Sequence, residues 1–233
     1  MSTTGRRFCL ACVWLAPLVA VAQAPTAELR LHLASSMPGK VRAVPAVIWL
    51  EPLPGTPSAP FLPQGHYTLL QKNRTFIPHL QVIPVGSVVE FPNADPFFHN
   101  VFSMYEGKRF DLGLYEAGSS KSTKFTQEGV SYIFCNIHPE MSAVVIALST
   151  RLYATAGTND TFHLRDIPPG DYRLHLWIES VPQSFLRQLT RTVHLQAGTV
   201  DLGNIVAPIA GSGTGAHSNK FGEPYDKETP SPY

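Results

Sequence analysis

Proline and glycine set the tightest limit on what this chain can fold into: 21 prolines and 17 glycines are spread through its 233 residues. Inside a helix a proline costs about 3 kcal/mol and a glycine about 1 kcal/mol, whereas short strands joined by turns accommodate both. The apolar residues follow the same logic. Leu29, Leu31 and Leu33 alternate with polar neighbours across Glu28–Leu33, the period of a half-buried strand. Ala46–Leu50 reads as a second, more buried strand. Further strands are expected at Tyr67–Leu70, Phe76–Pro84, Ser87–Phe91, His99–Met104, Ser122–Phe125, Val130–Phe134 and the strongly apolar Ala143–Leu148. Gly86 turns the chain between two of them, and Gly118–Ser122 reads as a polar loop. No stretch from 67 to 148 holds a helical period. Short strands at this spacing suggest a β-sandwich. Beyond Tyr153 the pattern continues with Thr161–Leu164, Asp171–Trp177, Thr190–Leu195 and Asp201–Val206, and Pro168-Pro169-Gly170-Asp171 makes a firm turn.

The two ends read differently. Arg6 and Arg7 precede an uncharged apolar run, Phe8–Ala22, and small residues follow it. That is the layout of a secretory leader, with cleavage expected after Ala22. The run is about 15 residues, short of the roughly 20 that span a bilayer. An exported, periplasmic or secreted, chain without a membrane span is the expectation. From Gly211 to Tyr233 apolar residues become sparse, as in a disordered tail. The expected organisation is a leader at 1–22, N-terminal strands and a proline-rich linker at 26–64, a central domain at 65–149, a smaller sandwich at 150–208 and a tail at 209–233. Basic residues number 18 and acidic residues 17, so no strong field argues for nucleic acid. Loss of the leader would remove Cys9 and Cys12 and leave Cys135 alone in an oxidising compartment. Such a thiol can dimerise, lie inert in a core, or hold a metal.

The segment Cys135-Asn136-Ile137-His138-Pro139-Glu140-Met141 favours the metal. It offers a thiolate, an imidazole and a thioether at three-residue spacing. Soft sulfur with imidazole suits copper, and two histidines, a cysteine and a weak axial methionine make the blue-copper arrangement. His99, in Pro96-Phe97-Phe98-His99-Asn100-Val101, supplies the second imidazole. The loop between the strands before Cys135 and after Met141 would gather these side chains at one end of a sandwich, and Pro139 would stiffen it. Zinc is the chemical competitor, but structural zinc favours more cysteines. A binuclear copper centre would need a second cysteine in the loop, and multicopper oxidase chemistry His-x-His pairs; neither occurs.

At these residues the chain resembles the cupredoxins, above all the amicyanin- and plastocyanin-like proteins, including bacterial plastocyanin-like "methylamine utilisation" proteins. Cys-x-x-His-Pro-x-Met and His99-Asn100-Val101 carry the resemblance, with Phe76-Ile77-Pro78-His79, Val85-Gly86 and Glu90-Phe91-Pro92-Asn93 leading up to them. It covers about residues 67–148 and implies a Greek-key sandwich. It also implies one type 1 copper ion with His99, Cys135 and His138 as equatorial ligands and Met141 as the axial one. Asn100 would tie the two ligand segments together near the Cys135 sulfur, and His79 is a second candidate for the outer shell. The edge of His138 would face solvent among Phe97, Phe98 and Pro139, forming a docking patch for a redox partner. Val47-Ile48-Trp49-Leu50-Glu51-Pro52 and Ile167-Pro168-Pro169-Gly170-Asp171-Tyr172-Arg173-Leu174 look like a second, smaller transthyretin-like or carboxypeptidase-regulatory-like sandwich. The expected fold class is therefore all-β, with a cupredoxin sandwich and this smaller one.

The leading functional expectation is a monomeric one-electron carrier. Four protein ligands leave a copper ion no position for substrate, so an enzyme is not expected. A copper-handling module and a surface interaction protein are the alternatives, and copper off-rate separates the first of these from a carrier.

Overall fold

The computed structural model describes residues 25–37, 44–57, 63–104, 107–157, 159–209 and 219–223. The expected leader lies outside them, as do parts of the linker and tail. The described chain is built almost wholly of strands: β1 (Ala27–Ser35), β2 (Ala46–Pro52), β3 (His66–Thr68), β4 (Leu70–Lys72), β5 (Thr75–Ile77), β6 (Leu80–Pro84), β7 (Val88–Pro92), β8 (His99–Ser103), β9 (Phe110–Tyr115), β10 (Ser120–Lys124), β11 (Gly129–Phe134), β12 (Ser142–Leu148), β13 (Tyr153–Thr155), β14 (Thr161–Ile167), β15 (Gly170–Ile178), β16 (Arg191–Leu195) and β17 (Gly198–Ala207), with one short helix, α1 (Gln183–Leu189), before β16.

Two of the expected strands are each broken in two. Leu69 interrupts Tyr67–Leu70 by turning its N–H to Glu90 O at 2.8 Å. Pro78, which has no N–H to give a ladder, breaks Phe76–Pro84 at a cis Ile77–Pro78 peptide. Three elements have no counterpart among the expected strands, β9, β13 and α1. In β9 the alternation fails because Gly113, at φ 66°, sits inside the strand and the pairing with β8 slips between Asn100 and Phe102. The helix is only seven residues long and buries Leu186 alone.

The central strands make a sandwich. One sheet runs β6-β12-β11-β8-β9 and faces a second, β10-β7-β3, with the β4–β5 hairpin beside it. Leu69, Phe76, Val89, Phe91, Val101, Phe125 and Ile133 fill the space between them, together with Ala143, Val145 and Ala147. The flanking strands make a second sandwich, of sheets β14-β1-β17 and β13-β2-β15-β16. In it β1 lies between two strands from beyond residue 150, and so does β2. The central unit is thus inserted between the strands of the outer one. The Pro-Pro-Gly turn is locked when the Tyr172 hydroxyl, two residues after Gly170, donates to Pro168 O at 2.7 Å.

Strand β12 shows why its sequence is apolar without alternation. Ala143, Val145 and Ala147 point into the central core, while Val144, Ile146 and Leu148 join the core of the outer sandwich. A strand buried on both faces reads as a continuous apolar run. Each of the three larger side chains is worth about 1.5–3 kcal/mol when buried rather than exposed. Separating the two sandwiches would expose all three. Polar contacts pin the same seam: Trp177 Nε1 and Gln183 Nε2 both donate to the Tyr132 hydroxyl, at 3.2 and 3.3 Å.

His79, a candidate for the outer shell, has its ring partners in this seam. Its Nδ1 bonds Ser142 O at 3.1 Å and its Nε2 pairs with Glu179, just past β15. The Glu179 carboxylate raises the His79 pKa above its ordinary value, against a smaller opposing effect of burial. A raised folded-state pKa stabilises the fold fully below the unfolded value of about 6.5, and that contribution is lost as pH rises through the folded pKa. The urea midpoint is therefore expected to fall as pH rises above about 6.5, and Glu179→Gln should flatten that fall. An identical pH profile in the variant would remove the pair from the energetics of the seam.

Candidate metal centre

The hairpin β11–β12 builds the site. Its ladder ends at the pair Phe134 and Ser142, and the loop between them carries Cys135, His138 and Met141. The loop is closed at its base by Cys135 N–H to Met141 O at 3.3 Å and tightened by Met141 N–H to His138 O at 3.0 Å. Strand β8 lies next to β11, with Phe102 opposite Phe134, and its first residue is His99. Sheet order alone therefore brings two segments 36 residues apart to one end of the sandwich.

Three side chains converge there. The Nδ1 atoms of His99 and His138 stand 3.1 Å apart, and the Cys135 sulfur lies 3.8 and 3.6 Å from them. All three residues are buried. Met141 is fully buried in the same apolar cluster as Cys135. Backbone N–H groups of Asn100, Ile137 and His138 point at the Cys135 sulfur. The link from Asn100 to that sulfur thus runs through its main chain, while its side-chain Nδ2 donates to Asp111 at 2.8 Å.

Burial sets the protonation states. It lowers the pKa of His138 to about 4, with His99 as the next cause, and it lowers that of His99 as well. Both imidazoles are neutral at pH 7 and can offer lone pairs. Burial also pushes the Cys135 thiol up. A cation that takes the thiolate must therefore displace a proton, so that binding and deprotonation are coupled. Two neutral Nδ1 atoms at 3.1 Å need a proton or a metal between them. His138 Nε2 has no partner among the described residues. One sulfur and two imidazole nitrogens aimed at one buried point form a donor set that fits copper.

Asp95 is the functional residue that motif reading missed. Its Oδ2 takes a hydrogen bond from His99 Nε2 at 2.9 Å, which leaves Nδ1 as the lone-pair nitrogen facing the cluster. The signal was present as an acid four residues before a candidate ligand. The carboxylate is held in turn by the turn of the β4–β5 hairpin. Asn73 and Arg74 both adopt positive φ, 54° and 55°, as a two-residue hairpin turn requires. Their N–H groups then reach Asp95 at 2.6 and 3.0 Å. Burial alone would raise the Asp95 pKa, but these bonds and the one from His99 outweigh it and keep the pKa below the usual value.

The expected solvent-facing edge of His138 is not found. His138 is 2 % exposed. The Phe97 ring packs on both imidazoles, 5.2 Å from His99 and 5.5 Å from His138, with the Arg74 guanidinium 5.2 Å above it. Phe97 is a partial cover, and Phe98 and Pro139 are exposed around it. A carboxylate that orients a ligand histidine typically contributes 10–100-fold to metal affinity. Asp95→Asn keeps the shape and removes the charge, so it should weaken copper binding by about that factor in a competition titration with a chelator. Unchanged affinity would show that Asp95 does not act on the metal.

No family model and no curated protein matches the chain. Solved structures do. A purple cupredoxin from Nitrosopumilus maritimus is 25% identical, over 36% of this chain and 100% of that one, with a TM-score of 0.32. A Cu-containing nitrite reductase from Thermus scotoductus SA-01 is 25% identical over 42% of this chain, with a TM-score of 0.34; the match spans only 25% of the reductase. A reduced variant of amicyanin is 19% identical over 37% of this chain and 86% of that one, also with a TM-score of 0.34. The central unit of this chain, two facing sheets, carries a His99–Cys135–His138 cluster that could hold a metal.

Proposed function

We propose that this protein holds one type 1 copper ion and carries single electrons outside the cytoplasm. The observation that supports this most is the convergence of His99, His138 and Cys135, all three buried, with ligand atoms within 4.8 Å of one another. Copper bound there would supply a one-electron couple. The chain's own residues do the rest. His99, His138 and Cys135 would hold the ion, with Met141 as a further weak ligand. Asp95 fixes the His99 tautomer. The three N–H groups on the Cys135 sulfur spread its charge and set the potential. Rigid strands on either side limit movement between oxidation states. Burial of His99, Cys135, His138 and Met141 would keep water from the ion, which fits a carrier.

Electrons leave and enter through the face where Phe97 covers His138, and Phe98 and Pro139 present an apolar surface to a partner protein. The leader at 1–22 carries the chain across the membrane. Among the described residues no helix is long and apolar enough to span one.

Titration of the metal-free protein with Cu(II) should produce an intense blue thiolate-to-copper band. Cys135→Ser should abolish the band, and Met141→Leu should keep it while shifting the reduction potential. A colourless wild type that binds metal tightly would contradict the proposal, as would loss of all binding in Met141→Leu.

A further inference from the structure

The segment Asn219–Glu223 lies in the part of the chain expected to be a disordered tail, yet it forms a compact turn. Asn219 Oδ1 accepts the N–H groups of Phe221 and Glu223 at 2.9 and 3.0 Å. Asn219 also exchanges main-chain bonds with Gly222 and Glu223. Gly222 takes φ 84°, which a side chain would disfavour. The turn is attached to the metal-ligand end of the central sandwich by one residue. Lys220 N–H donates to Asn136 Oδ1 at 2.9 Å, and Asn136 directly follows Cys135 in the ligand loop. Lys220 Nζ reaches Asp111 Oδ2 on β9 at 2.8 Å.

Asp111 carries the connection inward. Its Oδ1 accepts Asn100 Nδ2 at 2.8 Å and Gly113 N–H at 2.9 Å. Asn100 directly follows His99 and gives its main-chain N–H to the Cys135 sulfur. One lysine thus grips both ligand-bearing segments: the loop with Cys135 and His138 through its main chain, and the strand with His99 through Asp111. The Lys220–Asp111 pair is about three-quarters buried, at 26% and 28% exposure. It is therefore less screened than an ordinary surface pair. The Lys220 ammonium also lies over the ring of Phe221, 5.3 Å from its centroid.

We propose that residues 219–223 are part of the metal centre, a clamp that fixes the ligand loop against the His99 strand, with Lys220 as its positioning residue. The significance of the clamp for copper rests on the reading given under Proposed function, but the clamp itself can be tested without metal. Amide hydrogen exchange in the metal-free protein reports local opening of the loop. In a chain ended after Ile209, Asn136–Met141 should exchange about tenfold faster, while β11 and β12 keep their protection. Lys220→Met should give a smaller increase in the same residues, and Lys220→Arg should restore the wild-type rates. With copper bound, the shortened chain should lose the ion to a chelator several-fold faster. Equal loop exchange in the full and shortened chains would overturn the clamp. So would a Lys220→Met protein indistinguishable from wild type. A protein that binds no copper but still shows faster loop exchange on shortening would overturn the copper reading and leave the clamp standing.

Discussion

Burial of β12 on both faces is the constraint on which the rest of the molecule depends. One face closes the core of the central sandwich with Ala143, Val145 and Ala147, and the other closes the seam with Val144, Ile146 and Leu148. Neither core is complete without it. Because β12 cannot slide without moving six apolar side chains to the wrong face, its register with β11 is fixed. The loop that joins the two strands inherits that rigidity. Small residues at Ala143 and Ala147 face the insert and larger branched ones face the seam, so the strand also sets the spacing of the two sandwiches.

The ligand cluster is costly to hold in the absence of metal, and the surrounding structure is organised to hold it. Buried polar groups need partners. His99 finds one in Asp95, and the Cys135 sulfur is met by three main-chain N–H groups. The two Nδ1 atoms have only each other and the sulfur. A set of neutral, buried, mutually facing donors has little to gain from protein alone and much to gain from a soft cation, which would replace the shared proton and the thiol proton together. The support is layered: hairpin β4–β5 holds Asp95, Asp95 holds His99, and Arg74 of the same hairpin sits over the Phe97 ring that covers both imidazoles.

Much of this was legible in the sequence. Three donor residues at three-residue spacing in one loop, with His99-Asn100 upstream, name their chemistry because few other arrangements use thiol, imidazole and thioether together. The strands were legible where burial is one-sided and periodic, as in β1, or two-sided and continuous, as in β12. The reading failed where local geometry overrides pattern. Gly113 and the register slip hid β9, and Pro78 split a run that looked continuous. Asp95 was passed over because its one signal, an acid four residues before His99, gains meaning only when the fold brings the Asn73–Arg74 turn onto it. The cover over His138 was missed for a related reason. Apolar residues near a ligand read as a docking surface, and the Arg74 guanidinium that sits over the Phe97 ring is 23 residues away in sequence. Lys220 could not be read at all, since its role depends on bonds to positions 84 and 109 residues earlier.

The most direct test of the proposed copper centre is X-ray absorption at the copper edge on protein loaded with one equivalent of the metal. The predicted result is two imidazole nitrogens and one short copper–sulfur bond, with no such sulfur neighbour to the copper in Cys135→Ser. Coordination by nitrogen and oxygen alone, with the Cys135 thiol still open to alkylation under denaturing conditions and unchanged by the metal, would contradict it.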